Sequence, residues 1–179
     1  QLKLPWDFPP LENLKGQVLF QKGHLYLKEV NGRIFHSTLE KVNGTFYELL
    51  HMPTLELECQ GRLDLMDLPG LSKTEGIPEA FGRTLSSIHI LSGEAHYSLS
   101  AKGILIPPIR LQHRGVYNLS KARFTHPQIP FPIQIGEGRL ELSHHDLKWS
   151  EAKVEFGHST LMTNGLWKHG EKDPSLEIK

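Results

Sequence analysis

Gly16-Gln-Val-Leu-Phe20, followed by Leu25-Tyr-Leu27 and His36-Ser-Thr-Leu39, occurs a second time as Gly138-Arg-Leu-Glu-Leu142, Leu147-Lys-Trp149 and His158-Ser-Thr-Leu161. The offset is 122 residues throughout (Gly16 to Gly138, Leu25 to Leu147, His36 to His158). It falls to 121 where Asn43-Gly44 matches Asn164-Gly165 and Pro53-Thr-Leu-Glu-Leu-Glu58 matches Pro174-Ser-Leu-Glu-Ile-Lys179. A self-similar unit of about 45 residues built of short alternating runs marks a stacked β architecture whose units share one core. Such a chain offers a surface more readily than an enclosed active site.

The alternation is period two. Val18/Phe20, Leu25/Leu27, Leu55/Leu57/Cys59, Leu63/Leu65, Ala95/Tyr97/Leu99/Ala101, Ile109/Leu111, Leu140/Leu142 and Leu147/Trp149 are separated by mostly polar residues, as in antiparallel strands with one wet and one dry face. Parity therefore predicts Leu25, Leu27, Leu55, Leu57, Leu140, Leu142, Leu147 and Trp149 buried, with Glu56, Glu58, Arg139 and Glu141 exposed. Lys22-Gly23 and Asn31-Gly32 read as hairpin turns, the latter because both residues tolerate positive φ. A single inserted residue would throw every later side chain to the wrong face, so the slip from 122 to 121 demands a bulge; counting back from Leu39/Leu161 puts it near Glu40-Lys41.

Between the copies the texture changes. Ala80, Phe81, Thr84, Leu85 and Ile88 fall at helical spacing behind Pro78, which suits a first turn, and predict one short helix. His126-Pro-Gln-Ile-Pro-Phe-Pro-Ile133 carries three prolines between Pro127 and Pro132 and should run extended along an edge, because proline cannot donate to a ladder. The expected organisation is one domain over residues 1–179, mainly β, in which repeats at about 11–66 and 133–179 are joined by a helix and middle hairpins at 67–132. Repeated antiparallel hairpins would form a curved, partly open sheet or groove.

Composition narrows the function. The 179 residues carry 20 basic and 20 acidic side chains, and no Lys/Arg block gives a reason to expect nucleic acid or an anionic membrane surface as partner. One cysteine rules out an intramolecular disulfide; Cys59 shares a strand parity with Leu55 and Leu57 and reads as a small buried hydrophobe. There is no apolar run near twenty residues, no signal peptide and no initiator Met, and the last residues fall within a strand-like run, so the chain reads as an internal or C-terminal piece of a longer protein.

Catalytic and metal constellations are not found. Among the eleven histidines the sharpest cluster is His144-His145-Asp146, but neighbours on a strand face opposite sides and no HxH, HExxH or CxxC occurs. A polar hairpin tip accounts for it better than a metal. The duplicated His36-Ser-Thr and His158-Ser-Thr lack a nucleophile elbow, and duplication at equivalent places fits a structural role. Glu56/Glu58 and Glu12/Glu29 have no partner at a convincing spacing, and no glycine-rich phosphate loop appears. No cofactor and no enzymatic activity are expected.

What remains is apolar: Leu25, Leu27, Phe46, Leu55, Leu57, Leu140, Leu142, Leu147, Trp149, Leu161 and Trp167 converge if the strands form one sheet. They are the candidate site residues, and they line either an ordinary closed core or an open groove for acyl chains.

The succession Leu14-Lys-Gly16-x-Val18, Gly23-x-Leu25-x-Leu27, Ser37-x-Leu39, Asn43-Gly44, Leu55-x-Leu57, Gly61-x-Leu63-Asp64-Leu65, Ser92-Gly93-Glu94, Gly136-x-Gly138-x-Leu140 and Ser159-x-Leu161-x-x-Asn164-Gly165 resembles the AsmA-like family, whose larger relatives include YhdP and TamB. The resemblance covers most of positions 11 to 179. It implies a periplasmic, inner-membrane-anchored protein of a Gram-negative envelope in which a repeating β-groove carries or shields phospholipid chains, serving outer-membrane lipid transport. Membrane anchoring would come through other parts of the protein, and flanking repeats would be neighbours of this one. The family offers no catalytic residues to transfer. The competing expectation is a structural or protein-binding β domain without a ligand.

Overall fold

The computed structural model describes residues 9–49, 51–71, 88–106, 110–143, 146–168 and 175–178. Ten strands follow one another: β1 (Glu12–Gln21), β2 (His24–Ile34), β3 (Ser37–Tyr47), β4 (Thr54–Asp64), β5 (His89–Ile104), β6 (Arg110–His126), β7 (Ile129–Ser143), β8 (Asp146–Phe156), β9 (Ser159–Lys168) and β10 (Ser175–Ile178). They form a single antiparallel sheet in chain order, with β1 and β10 at opposite edges. The sheet is curved and partly open. A 3-10 turn (Leu65–Asp67) and one short helix, α1 (Leu68–Leu71), follow β4. No helix of the described residues is long and apolar enough to cross a membrane, which says nothing about strands. The helix expected from Pro78 to Leu85 lies outside the described residues; Ile88, its last position, packs half-buried beside the core.

Register explains the repeat. Leu25 pairs with Phe46 and Leu27 with Gly44 on β2–β3, as Leu147 pairs with Trp167 and Trp149 with Gly165 on β8–β9. Both pairs of strands then break register at the same place. Glu29 and Glu151 are bulged, each at positive φ (49° and 53°), and each amide donates to the side-chain oxygen of the repeated asparagine, Asn43 or Asn164, at 2.8 Å. The repeated Asn-Gly is therefore a clamp that holds a bulge on the neighbouring strand. Asn43→Ala and Asn164→Ala should each lower stability by about 1 kcal/mol, the worth of one hydrogen bond, in a urea melt; no change in either variant would mean that the bulges are set by packing alone.

The extra residue of the first copy lies where the slip in offset requires it. Val30 faces Val42 and Gly32 faces Leu39, while Leu39 and Lys41 of β3 face Gly61 and Gln60 of β4, so β3 gains a residue at Glu40-Lys41 against both neighbours. In the second copy Ala152, Lys153 and Val154 face Thr163, Met162 and Leu161 without a break.

Two expectations are corrected. Lys22-Gly23 is the β1–β2 turn, with both residues at positive φ (50° and 78°). Asn31-Gly32 is not a turn; it lies inside β2, where a β-carbon at Gly32 would come within 2.7 Å of the Leu14 side chain, so the glycine serves close approach. The β2–β3 turn falls at Phe35-His36 and its counterpart at Gly157-His158, which places both repeated histidines on hairpin tips. The proline segment is not an edge strand either. Ile129–Ser143 is an inner strand, but Pro130 and Pro132 precede Ile133, the first residue paired with β8, so their missing donors fall where one side of β7 is open.

The burial pattern is that of one layer. The closed core is a cluster of Leu65, Ile90, Ala95 and Ala122, with Leu63, Leu68, Ile88, Tyr117, Leu119 and Ile135 against it, where the 65–71 turn folds over the sheet. Of the eight side chains that parity predicts buried, Leu55 is buried (9% exposed) and Leu25, Leu27, Leu57, Leu140, Leu142, Leu147 and Trp149 are half-buried. Neighbours within one sheet cover a side chain from the flanks but leave its top uncovered. Glu58 and Arg139 are exposed as expected, whereas Glu56 and Glu141 are half-covered by ion pairing.

Candidate functional site

Residues directly opposite each other across an antiparallel ladder share a face. Phe20, Leu25, Phe46, Leu55, Gly103 and Leu111 form one transverse row, and Val18, Leu27, Gly44, Leu57, Ala101 and His113 form the next. Val30, Val42, Cys59, Leu99, Gly115, Leu142, Leu147 and Trp167 make a third, and Gly61, Tyr97, Tyr117, Leu140, Trp149 and Gly165 a fourth. All eleven candidate residues thus lie on one face, with Leu161 opposite Val154 at its far corner, 51% exposed. The middle strands link the two copies with small residues, Ala101, Gly103 and Gly115.

The rings on this face lie over glycines. A β-carbon at Gly165 would overlap the indole of Trp149, one at Gly61 would sit 2.8 Å from the Tyr97 hydroxyl oxygen, and one at Gly44 would meet the Leu57 side chain at 2.8 Å. The repeated glycine opposite Leu27 and Trp149 therefore leaves room for a flat apolar cover on the backbone. Tyr97 and Tyr117 stand 6.2 Å apart, and the Tyr97 hydroxyl meets the Cys59 sulfur at 3.5 Å. Cys59 is buried, as its parity suggested, and burial pushes its thiol up despite the bond to Tyr97.

Burial first, then the Cys59 bond, pushes the Tyr97 phenol far above its usual range, and burial also raises Tyr117. Stability drawn from keeping these phenols neutral is fully present below the ordinary tyrosine pKa near 10 and is lost as pH rises beyond it toward their folded values. In an alkaline titration read by phenolate absorbance, two of the four tyrosines should ionise only together with unfolding; all four ionising in the folded protein would contradict this packing.

The opposite face is wet. Lys102 pairs with Glu56, which also accepts from the Tyr47 hydroxyl at 2.9 Å, and these contacts, that of Lys102 first, hold the Glu56 carboxyl below its usual range. Arg62–Glu94 (3.3 Å), Arg139–Glu141 (3.0 Å) and Lys153–Glu155 (3.0 Å) continue the row, and the Arg139 bond lowers Glu141. Such exposed pairs add little to stability. They do fix which face meets water.

A broad open depression of about 770 Å³ crosses β2 to β6 mainly on the wet face, where the rows Tyr26, Thr45, Glu56, Lys102, Gln112 and Asn43, Glu58, Ser100, Arg114 line it, with Leu27, Gly44, Leu57 and Ala101 of the apolar row between them. Among the described residues no three metal-ligating side chains converge, and His144 and His145 lie outside those residues.

The repeated His-Ser-Thr has different surroundings in its first copy. Asp67, 5% exposed, accepts from the amides of His36 (3.0 Å) and Ser37 (2.8 Å) and from the Ser37 hydroxyl (2.6 Å), while its other oxygen meets the His36 ring at 2.9 Å. Ser37 in turn accepts from the Asp64 amide at 3.0 Å. His36 and Ser37 both point to one carboxylate and not to each other, so neither serves as base for the other; the arrangement ties the 35–36 turn to the 65–67 turn.

No protein-family model, curated protein or solved structure matches the chain. The face is characterised by its own chemistry: an apolar surface of leucines, valines and aromatic rings that also carries Cys59 and His113. Tyr97, Tyr117 and Leu99 belong to it and were not among the candidates, because those came only from the duplicated segments; the alternation Ala95/Tyr97/Leu99/Ala101 was the available signal.

Proposed function

We propose that the chain is a non-catalytic module that holds phospholipid acyl chains against the apolar face of its sheet, as a segment of an AsmA-like, inner-membrane-anchored periplasmic protein in outer-membrane lipid transport. One observation carries this proposal: eleven large apolar side chains spread over both copies share one face, and ten of them remain half-buried or exposed while the other face is charged. Monomeric soluble proteins seldom leave so extended an apolar surface uncovered without a use for it. Each methylene withdrawn from water onto such a surface gains about 0.8 kcal/mol, so acyl chains suit it without any polar anchor.

The same chemistry predicts low head-group selectivity, since few polar groups on the face could discriminate. The test is lipid extraction and mass spectrometry of the protein purified from a Gram-negative host without detergent. Retention of phospholipids with mixed head groups is expected. A folded, monodisperse protein carrying no lipid would favour the structural or protein-binding domain instead.

A further inference from the structure

The depression on the wet face is a second candidate site, independent of the lipid proposal. Its volume of about 770 Å³ is within the range of small-ligand clefts. Elsewhere on that face charges close on one another, as in Arg62–Glu94, Arg139–Glu141 and Lys153–Glu155. Of the charged side chains in the depression, only Lys102 and Glu56 do so. Lys28, Glu58, Ser100, Gln112 and Arg114 line it exposed, and none of these side chains has a hydrogen bond or ion pair among the described residues.

Tyr26 borders the depression on β2. Its ring stands nearly perpendicular to that of His24, with centroids 6.3 Å apart and planes at 76°. His24 is itself held, 5.6 Å from the Tyr47 ring and accepting the Glu48 amide at Nδ1 (3.0 Å). Edge-to-face contacts of this kind fix a ring in advance, so little rotamer freedom is left to lose when a ligand lies on it.

The charge pattern selects the occupant. Three cations and two carboxylates nearly cancel; Lys102 is tied to Glu56, and the other two cations, Lys28 and Arg114, are about 19 Å apart along the sheet, four strand spacings with Glu58 between them, so no anion is gripped from two sides. The same charges turn acyl chains away. We infer that this depression binds an uncharged oligosaccharide. Each sugar hydroxyl both donates and accepts, which matches a lining of cationic donors, a carboxylate, an amide and a hydroxyl. The C–H face of one sugar lies on the Tyr26 ring, and sugars further along meet Glu58, Ser100 and Arg114.

The test titrates the whole chain with maltohexaose, cellohexaose and chitohexaose, read by calorimetry. Saturable binding of at least one of the three is expected. Tyr26→Ala should weaken it about tenfold through the ring area lost, and Tyr26→Phe, which keeps the ring, by less than about threefold. Glu58→Ala with Arg114→Ala should also weaken it about tenfold by removing hydrogen bonds to the sugar; both side chains are exposed, so folding is retained. No binding of any of the three, binding undiminished in the Glu58→Ala/Arg114→Ala variant, or tighter binding of the polyanion heparin would each overturn the inference.

Discussion

Asp67→Ala should destabilise the protein by about 3 kcal/mol or more, because a buried charged acceptor is removed and its donors are left unpaired. Three of its four contacts are the His36 and Ser37 amides and the Ser37 hydroxyl, and the two to Ser37 are buried, so water cannot replace the carboxylate without opening the turn. The fourth, to a His36 side chain that is 76% exposed, adds little. Asp67→Asn keeps one acceptor oxygen and turns an amide against a donor, so an intermediate loss is expected. Urea unfolding followed by Trp fluorescence measures both, and a loss under about 1 kcal/mol for Asp67→Ala would show that the 35–36 turn is held by something else.

The largest functional effect is expected on the apolar face. Trp149→Glu combined with Leu27→Glu should reduce retained phospholipid at least tenfold, since an unpaired charge set against acyl chains is strongly unfavourable. Both side chains are half-exposed, so each carboxylate can reach water in the lipid-free protein and the double variant should stay folded. Truncations there should also cost less than the 2–5 kcal/mol of a sealed core, which places Leu57→Ala and Leu142→Ala below that range. A double variant that unfolds outright would mean that the face is closed in the working protein; one that folds and keeps its lipid would place the lipid elsewhere.

Much of this architecture is legible in the residues. Period-two runs give strands and faces, and the fall from 122 to 121 locates the bulge at Glu40-Lys41, because β geometry allows no silent insertion. Asn31-Gly32 misleads, since the same dipeptide chemistry that suits a turn also lets two strands approach, and only the position of Leu14 decides between them. Parity assigns Leu27 and Trp149 to a face but not to an interior: burial depends on whether a second layer exists, and no local pattern encodes that. Asp67 is invisible for a similar reason, its partners lying about thirty residues away in the chain.

The central claim is that the apolar face, and not the charged one, holds lipid. A photoreactive phenylalanine analogue placed at Leu27 or Trp149, and as control at Lys102 on the opposite face, tests it in intact cells. Lipid adducts from the first two positions and not from the third are predicted. Equal labelling from both faces, or no lipid adduct at Leu27 and Trp149 in a folded protein, would contradict it.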